Sequence, residues 1–212
     1  ADAAEVQYAR DAGTYAKADL ASGLVSELAS LQGIVGGEYA RREGFAEPVC
    51  SAIASQYDLS KVGGATDPAG RTAIRLIVAD QIDKLVGYLG LGLAPSGSSD
   101  PYGLRRACTI LIESAWKWTG PFPSFDAFFA QALALYAEQG VQLDESAAYA
   151  SFWDVMGARI ESLMSGARYD LLDAALRSRS AGDVSMPRSV RCRLAALDLL
   201  ANDVAFTQTA TR

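Results

Sequence analysis

RTAIRLIVADQIDKLVGYLG, residues 71–90, decides the fold class. Ile74, Ile77, Val78, Ile82, Leu85, Val86 and Leu89 recur at spacings of three and four, which lines them up on one broad face of a long helix. No stretch of the chain shows the strict alternation of a half-buried strand. The helix is bracketed by two loops, a polar, Gly-rich one over Asp58–Gly70 and GLGLAPSGSSD over Gly90–Asp100. Asp100 suits an N-cap, so the next helix is expected to open at Pro101, carry Leu104, Cys108, Leu111 and Ala115, and end near Trp118.

Helical spacing continues on both sides. Upstream, Leu20, Leu24, Leu28 and Leu31 step by four, four and three, and Ile34, Val35 and Tyr39 continue that face after a break near Ser30. Gly33, Gly36 and Gly37 crowd one short stretch; they let another helix approach closely, at about 1 kcal/mol of helix propensity each. A helix is expected from Glu47, with Pro48 in its first turn, through Cys50, Ile53 and Tyr57. Downstream, TGPFPS (Thr119–Ser124) is the clearest linker. Ser124 can cap a helix holding Phe125, Phe128, Phe129, Leu133 and Tyr136, closed by Gly140. Asp144 can cap the next, with Tyr149, Phe152, Met156, Ile160 and Leu163; short helices follow over Tyr169–Leu176 and from Pro187. The expectation is an all-α chain in two parts, residues 1–119 and 120–212. Its ends fall inside helix-like runs, Ala1–Ala12 and Val204–Arg212, with no initiator Met, which reads as a piece of a longer protein.

Composition narrows the function. Half of the 212 residues are hydrophobic, which excludes a disordered chain. The net charge of −6 argues against binding nucleic acid through bulk positive charge, while leaving room for local arginine patches. Cys50, Cys108 and Cys192 form no CxxC pair, so no zinc site is expected; Cys50 and Cys108 sit on apolar helical stripes and read as buried thiols. No apolar run approaches the roughly 18 residues of a membrane span. The chain has no histidine, which excludes Ser-His-Asp hydrolases, His-ligated metal sites and phosphohydrolases built on a His-Asp metal centre.

A few clusters carry chemical potential. Asp80 and Asp83 are neighbours on one helix, and Asp19 lies on an earlier one. Together they could form a metal or acid–base site; the structural alternative, which we favour, pairs them with bases such as Lys84, Arg75 and Arg105. Arg105 and Arg106 follow the Pro95–Pro101 loop and could hold a phosphate, or serve as ordinary ion-pair partners. Trp116 and Trp118 flank Lys117, and packing is the stronger reading than base stacking. Arg188, Arg191 and Arg193, behind Met186 and Pro187, make the main basic cluster, suited either to a phosphate backbone or to a solvated helix face.

Three stretches add a family resemblance. KADLASGLVSELASLQGIVGGEYARREG (Lys17–Gly44), VADQIDKLVGYLGLGLAPSGSSDPYGLRRAC (Val78–Cys108) and FWDVMGARIESLMSGARYDLLDAAL (Phe152–Leu176) resemble, in order and spacing, segments of the β subunit of bacterial glycyl-tRNA synthetase. The middle block, with its DPYGLRR, is the most specific. Gly103 stands in it where the family commonly has Ala, Ser99 stands at an often basic position, and Ala29 and Ser30 replace a usual Pro-Glu before LQG. The resemblance implies an α2β2 cytoplasmic ligase attaching glycine to tRNA(Gly), with the glycine and ATP site in the α subunit and no cofactor, metal or catalytic residue in this piece. It implies an HD-like helical domain over residues 1–119, a smaller helical bundle after it, and an anticodon-binding domain beyond Arg212. It makes Arg105, Arg106, Arg188, Arg191 and Arg193 the candidate tRNA contacts, and Asp19, Asp80 and Asp83 structural carboxylates. A degenerate HD-type phosphohydrolase and a purely structural spacer are the alternatives.

Overall fold

A computed structural model describes residues 2–177 and 187–203. Among these residues there is no strand, and the elements are α1 (Ala3–Tyr15), α2 (Gly23–Glu27), α3 (Ile34–Arg42), α4 (Glu47–Ser55), α5 (Pro68–Gly90), α6 (Leu104–Lys117), α7 (Phe125–Glu138), α8 (Glu145–Leu163), α9 (Tyr169–Arg177) and α10 (Pro187–Ala201). The all-α expectation holds. Ala1, Met186 and the helix-like run Val204–Arg212 lie outside the described residues. The chain forms two compact units, residues 1–81 with 117–122, and residues 82–116 with 123–212.

The first unit is built on α3 and α4, which pack face to face, with α1 also against α4. Val49, Cys50, Ala52 and Ile53 of α4 are all completely buried. The glycines allow this closeness: a Cβ at Gly37 would stand 2.7 Å from Ala54 Cβ and 2.7 Å from the Cys50 carbonyl oxygen. Gly33 has φ +80° and places its backbone against Tyr57. The last residue of α6 and the segment after it are stitched in by side chains that donate to backbone carbonyls. The Lys117 ammonium donates to Val62 O at 2.8 Å, and the Thr119 hydroxyl donates to Ala65 O at 3.0 Å.

A half-buried ion triad ties α1 to α5. Glu5, only 9% exposed, accepts from Arg71 on one oxygen and from Arg75 Nη2 on the other at 3.0 Å. The Arg71 guanidinium beside it holds the Glu5 carboxyl below its ordinary value, outweighing burial, which pushes it up; Arg75 adds to the lowering. A carboxyl depressed on folding contributes stability that is fully present above its unfolded pKa, about 4.3, and is lost as pH falls toward the lower folded value. Urea midpoints are therefore expected to fall below about pH 4.3, and Glu5→Gln to be less stable than wild type at pH 7 while losing part of that acid dependence. Equal acid dependence in the two proteins would assign it to other carboxylates.

The Leu20–Leu31 stripe departs from expectation. It is broken into a 3-10 turn over Ala18–Ala21, the short α2, and a second turn over Ala29–Leu31. Leu20, Leu24 and Leu28 are 46%, 41% and 50% exposed. The chain turns at three points: Ser22 turns extended and caps Val25 N, Leu28 leaves the helical region at φ −125°, and Gly33, whose amide Asp19 captures from 14 residues away, takes a positive φ. With no helix longer than one turn or so, the four-residue spacing no longer describes one buried face.

The second unit centres on the lower half of α5, on α6 and on the aromatic residues of α7 and α8. Ile82, Leu85, Val86 and Leu89 are at most 3% exposed, as are Leu104, Cys108, Leu111 and Ala115. Phe129 packs on Phe152 with ring centroids 4.9 Å apart. Ser124 caps α7 through Ala127 N and Asp144 caps α8 through Ala147 N, as the sequence indicated. α9 and α10 pack on each other. Asp100 also caps, but α6 opens at Leu104 rather than Pro101: the two Asp100 carboxylate oxygens take Leu104 N at 2.8 Å and Arg105 N at 3.0 Å. Gly103, at φ +65°, makes the turn between them, a conformation a Cβ would strain.

Candidate nucleic-acid interface

Each arginine and carboxylate singled out above has a defined place. Asp19 is 1% exposed, and its Oδ2 accepts from Gly33 N at 2.6 Å, at the head of α3. Asp80 forms an ion pair with Lys17 at 2.8 Å and accepts from Gln81 Nε2 at 2.8 Å. Asp83 is exposed, and its carbonyl oxygen accepts from the Tyr136 hydroxyl at 3.3 Å. The expected partners differ from those observed: Arg75 goes to Glu5, Arg105 to loop carbonyls, and Lys17 supplies Asp80. Lys17 itself is anchored on Gln56 Oε1 and the Tyr57 hydroxyl. Burial lowers its pKa, but Asp80 and Tyr57 outweigh that and hold the ammonium above its ordinary value. Among the described residues no group of three or more carboxylates, cysteines or histidines is placed to hold a metal ion.

Three of the five candidate arginines, Arg105, Arg188 and Arg191, line two clefts of the second unit. At the first, of about 360 Å³, Trp116, Arg188, Arg191, Cys192 and Ala195 form the walls. The Arg191 guanidinium lies 5.3 Å from the Trp116 ring centroid, and the indole N–H donates to Pro187 O at 3.4 Å. α10 makes this arrangement because Arg188, Arg191, Cys192 and Ala195 share one face at spacings of three and four. Arg193 falls off that face and does not line the cleft. A guanidinium stacked on an indole keeps its edge N–H groups available to an anion, and the half-buried ring offers a surface to a base or ribose.

The second cleft, of about 240 Å³, has Pro95, Arg105, Asp154, Val155, Ala158 and Arg159 as its walls. Arg105 reaches back over its loop, donating to Gly97 O at 2.7 Å and Ser99 O at 3.4 Å. Arg106, one residue on, is exposed and does not line this cleft. Arg159 escaped the sequence reading. It sits alone on α8 with no basic neighbour nearby in sequence, and only the fold, which sets its Nε against the Thr109 hydroxyl of α6, brings it to the cleft that Arg105 lines. Trp118 serves packing, with Phe122 5.9 Å away and the Arg75 guanidinium 5.3 Å from its ring centroid.

Among the described residues, no helix is long and apolar enough to cross a membrane. Comparison with known proteins places the chain. A family model described as glycyl-tRNA synthetase beta subunit matches residues 1–177. A glycine–tRNA ligase beta subunit of Nitratidesulfovibrio vulgaris is 40% identical over 187 residues, covering 88% of this chain and 26% of the relative. That of Desulforudis audaxviator is 38% identical over 181 residues, covering 82% and 25%. That of Aromatoleum aromaticum is 45% identical over 114 residues, covering 52% and 16%. This chain therefore spans about a quarter of the first two relatives' length. The matched region takes in both sequence blocks that meet in the Lys17–Asp80 ion pair and the whole of the Arg105–Arg159 cleft, and by that match the chain belongs to the glycyl-tRNA synthetase beta subunit family.

Proposed function

We propose that this chain is a non-catalytic part of a glycine–tRNA ligase, binding tRNA(Gly) and scaffolding the β subunit while the α subunit carries out ATP-dependent glycine attachment. The setting is an α2β2 assembly in the cytoplasm, and the HD-like character of the N-terminal helices belongs to the same reading. One observation carries it: the Arg191 guanidinium stacked on Trp116 beside Arg188, at the mouth of an open cleft. Aromatic faces with guanidinium edges suit a ribose-phosphate chain, and they do so in a protein of net negative charge because the positive charge is local. The internal engagement of Asp19 and Asp80 favours this reading over a phosphohydrolase.

The test uses the complete enzyme with full-length β subunit carrying Arg191→Ala. Its affinity for tRNA(Gly), followed by anisotropy at several salt concentrations, is expected to fall about 5- to 10-fold, the scale of one charge-assisted contact. The slope of log affinity against log salt should become shallower by about one unit. Unchanged affinity and slope would remove α10 from the interface.

A further inference from the structure

Most arginines of known partnership in this chain are spent on carboxylates. Arg41 and Arg42 pair with Glu38 or Glu47, Arg71 and Arg75 with Glu5, and Arg168 with Asp170. Arg105 and Arg159 are held differently. Arg105 is oriented by the carbonyl oxygens of Gly97 and Ser99, and Arg159 Nε by the Thr109 hydroxyl at 3.1 Å. These acceptors are neutral: they fix the guanidinium groups without cancelling their charge. Among the described residues, neither group is ion-paired with a carboxylate. Both line the same cleft of about 240 Å³, whose remaining walls are the apolar Pro95, Val155 and Ala158 and the exposed Asp154.

We propose that this cleft is a phosphate seat, in which Arg105 and Arg159 hold one phosphodiester group of an RNA backbone with its ribose against Pro95, Val155 and Ala158. The inference rests on the tRNA-binding reading above and names a contact that reading lacks. Two guanidinium forks from separate helices match the two non-bridging oxygens of a phosphodiester, and preorientation reduces the entropy lost on binding. Asp154 lines the cleft with the wrong sign for an anion. It therefore sets the affinity below what the arginines alone would give, and its removal has a sign that a merely structural cleft would not show.

The experiment compares tRNA(Gly) binding by the complete enzyme with full-length β subunits carrying Arg159→Ala, Arg159→Lys and Asp154→Asn, across a salt series. Arg159→Ala is expected to weaken binding about 10-fold and flatten the salt slope by about one unit, with Arg159→Lys in between. Asp154→Asn is expected to tighten binding about 3-fold at low salt, with the gain fading as salt screens it. Because that gain cannot come from misfolding, it decides the matter even if Arg159→Ala unfolds the protein. Asp154→Asn without effect in an enzyme whose wild type binds tRNA(Gly) salt-sensitively would overturn the phosphate seat and leave the broader reading standing. An enzyme whose tRNA binding ignores Arg191→Ala but responds to Asp154→Asn would take α10 out of the interface and leave the phosphate seat standing. If Asp154→Asn instead altered assembly with the α subunit and not RNA affinity, the cleft would be seating a protein carboxylate, and the RNA proposal would fall.

Discussion

Gly37→Val is expected to abolish the native packing of the first unit, at a cost of roughly 3 kcal/mol or more. The clash is with backbone, which cannot swing away. A Cβ at this position meets the Cys50 carbonyl oxygen and Ala54 Cβ, each at 2.7 Å, and Ala54 Cα at 3.2 Å. Valine adds two methyl groups beyond that point, so α3 and α4 must separate and expose Cys50 and Ile53, both completely buried. Gly37→Ala should cost less, about 1–2 kcal/mol, because alanine returns about 1 kcal/mol of helix propensity against the overpacking. Gly13 is the control. It lies in α1, with nothing within 4 Å of its would-be Cβ, so Gly13→Ala should raise stability by up to about 1 kcal/mol. Urea unfolding of the three variants checks the signs. A Gly37→Ala protein as stable as wild type would mean that α3 and α4 are not in such close contact.

Asp19→Ala is expected to cost about 2–3 kcal/mol, the range for a buried hydrogen bond to a charged group. The carboxylate is 1% exposed and holds Gly33 N, the amide that starts α3. Its loss strands that donor and releases the positive-φ turn that aims Gly36 and Gly37 at α4. Asp19→Asn keeps an oxygen in reach of the amide and should lose about 1 kcal/mol. The midpoint of urea unfolding should shift with little change of slope. Charging of tRNA(Gly) by the complete enzyme, assayed well below the lowered melting temperature, should be near normal. Full stability with lost charging would instead make Asp19 a functional carboxylate.

The sequence showed these features unevenly, for physical reasons. Where a signal is local it was legible: the α5 stripe, the Ser124 and Asp144 caps and Pro48 in the first turn of α4 all depend on residues within a turn of one another. The crowded glycines likewise announced a close helix approach, though not which helix would come. Where the deciding contact is distant it was hidden. The Leu20–Leu28 spacing is as regular as that of α5, yet Asp19 captures Gly33 N and Ser22 turns the chain, so the leucines end at the surface. The partner of Asp80 is Lys17 rather than a base on its own helix, since it is α1 and the turn after it that face α5 there. Arg105 carried a motif, whereas Arg159 carried none, and only folding places them at one cleft.

The three cysteines give the protein a built-in reporter. Cys50 and Cys108 are buried, and burial pushes the Cys108 thiol up to about 12, so neither presents a thiolate to a reagent in solution. Cys192 is exposed and lies on the rim of the Trp116–Arg191 cleft. A maleimide dye applied to this chain would thus attach at a single address, beside the Trp116 ring and the Arg191 guanidinium, and its emission would report whatever happens in that groove.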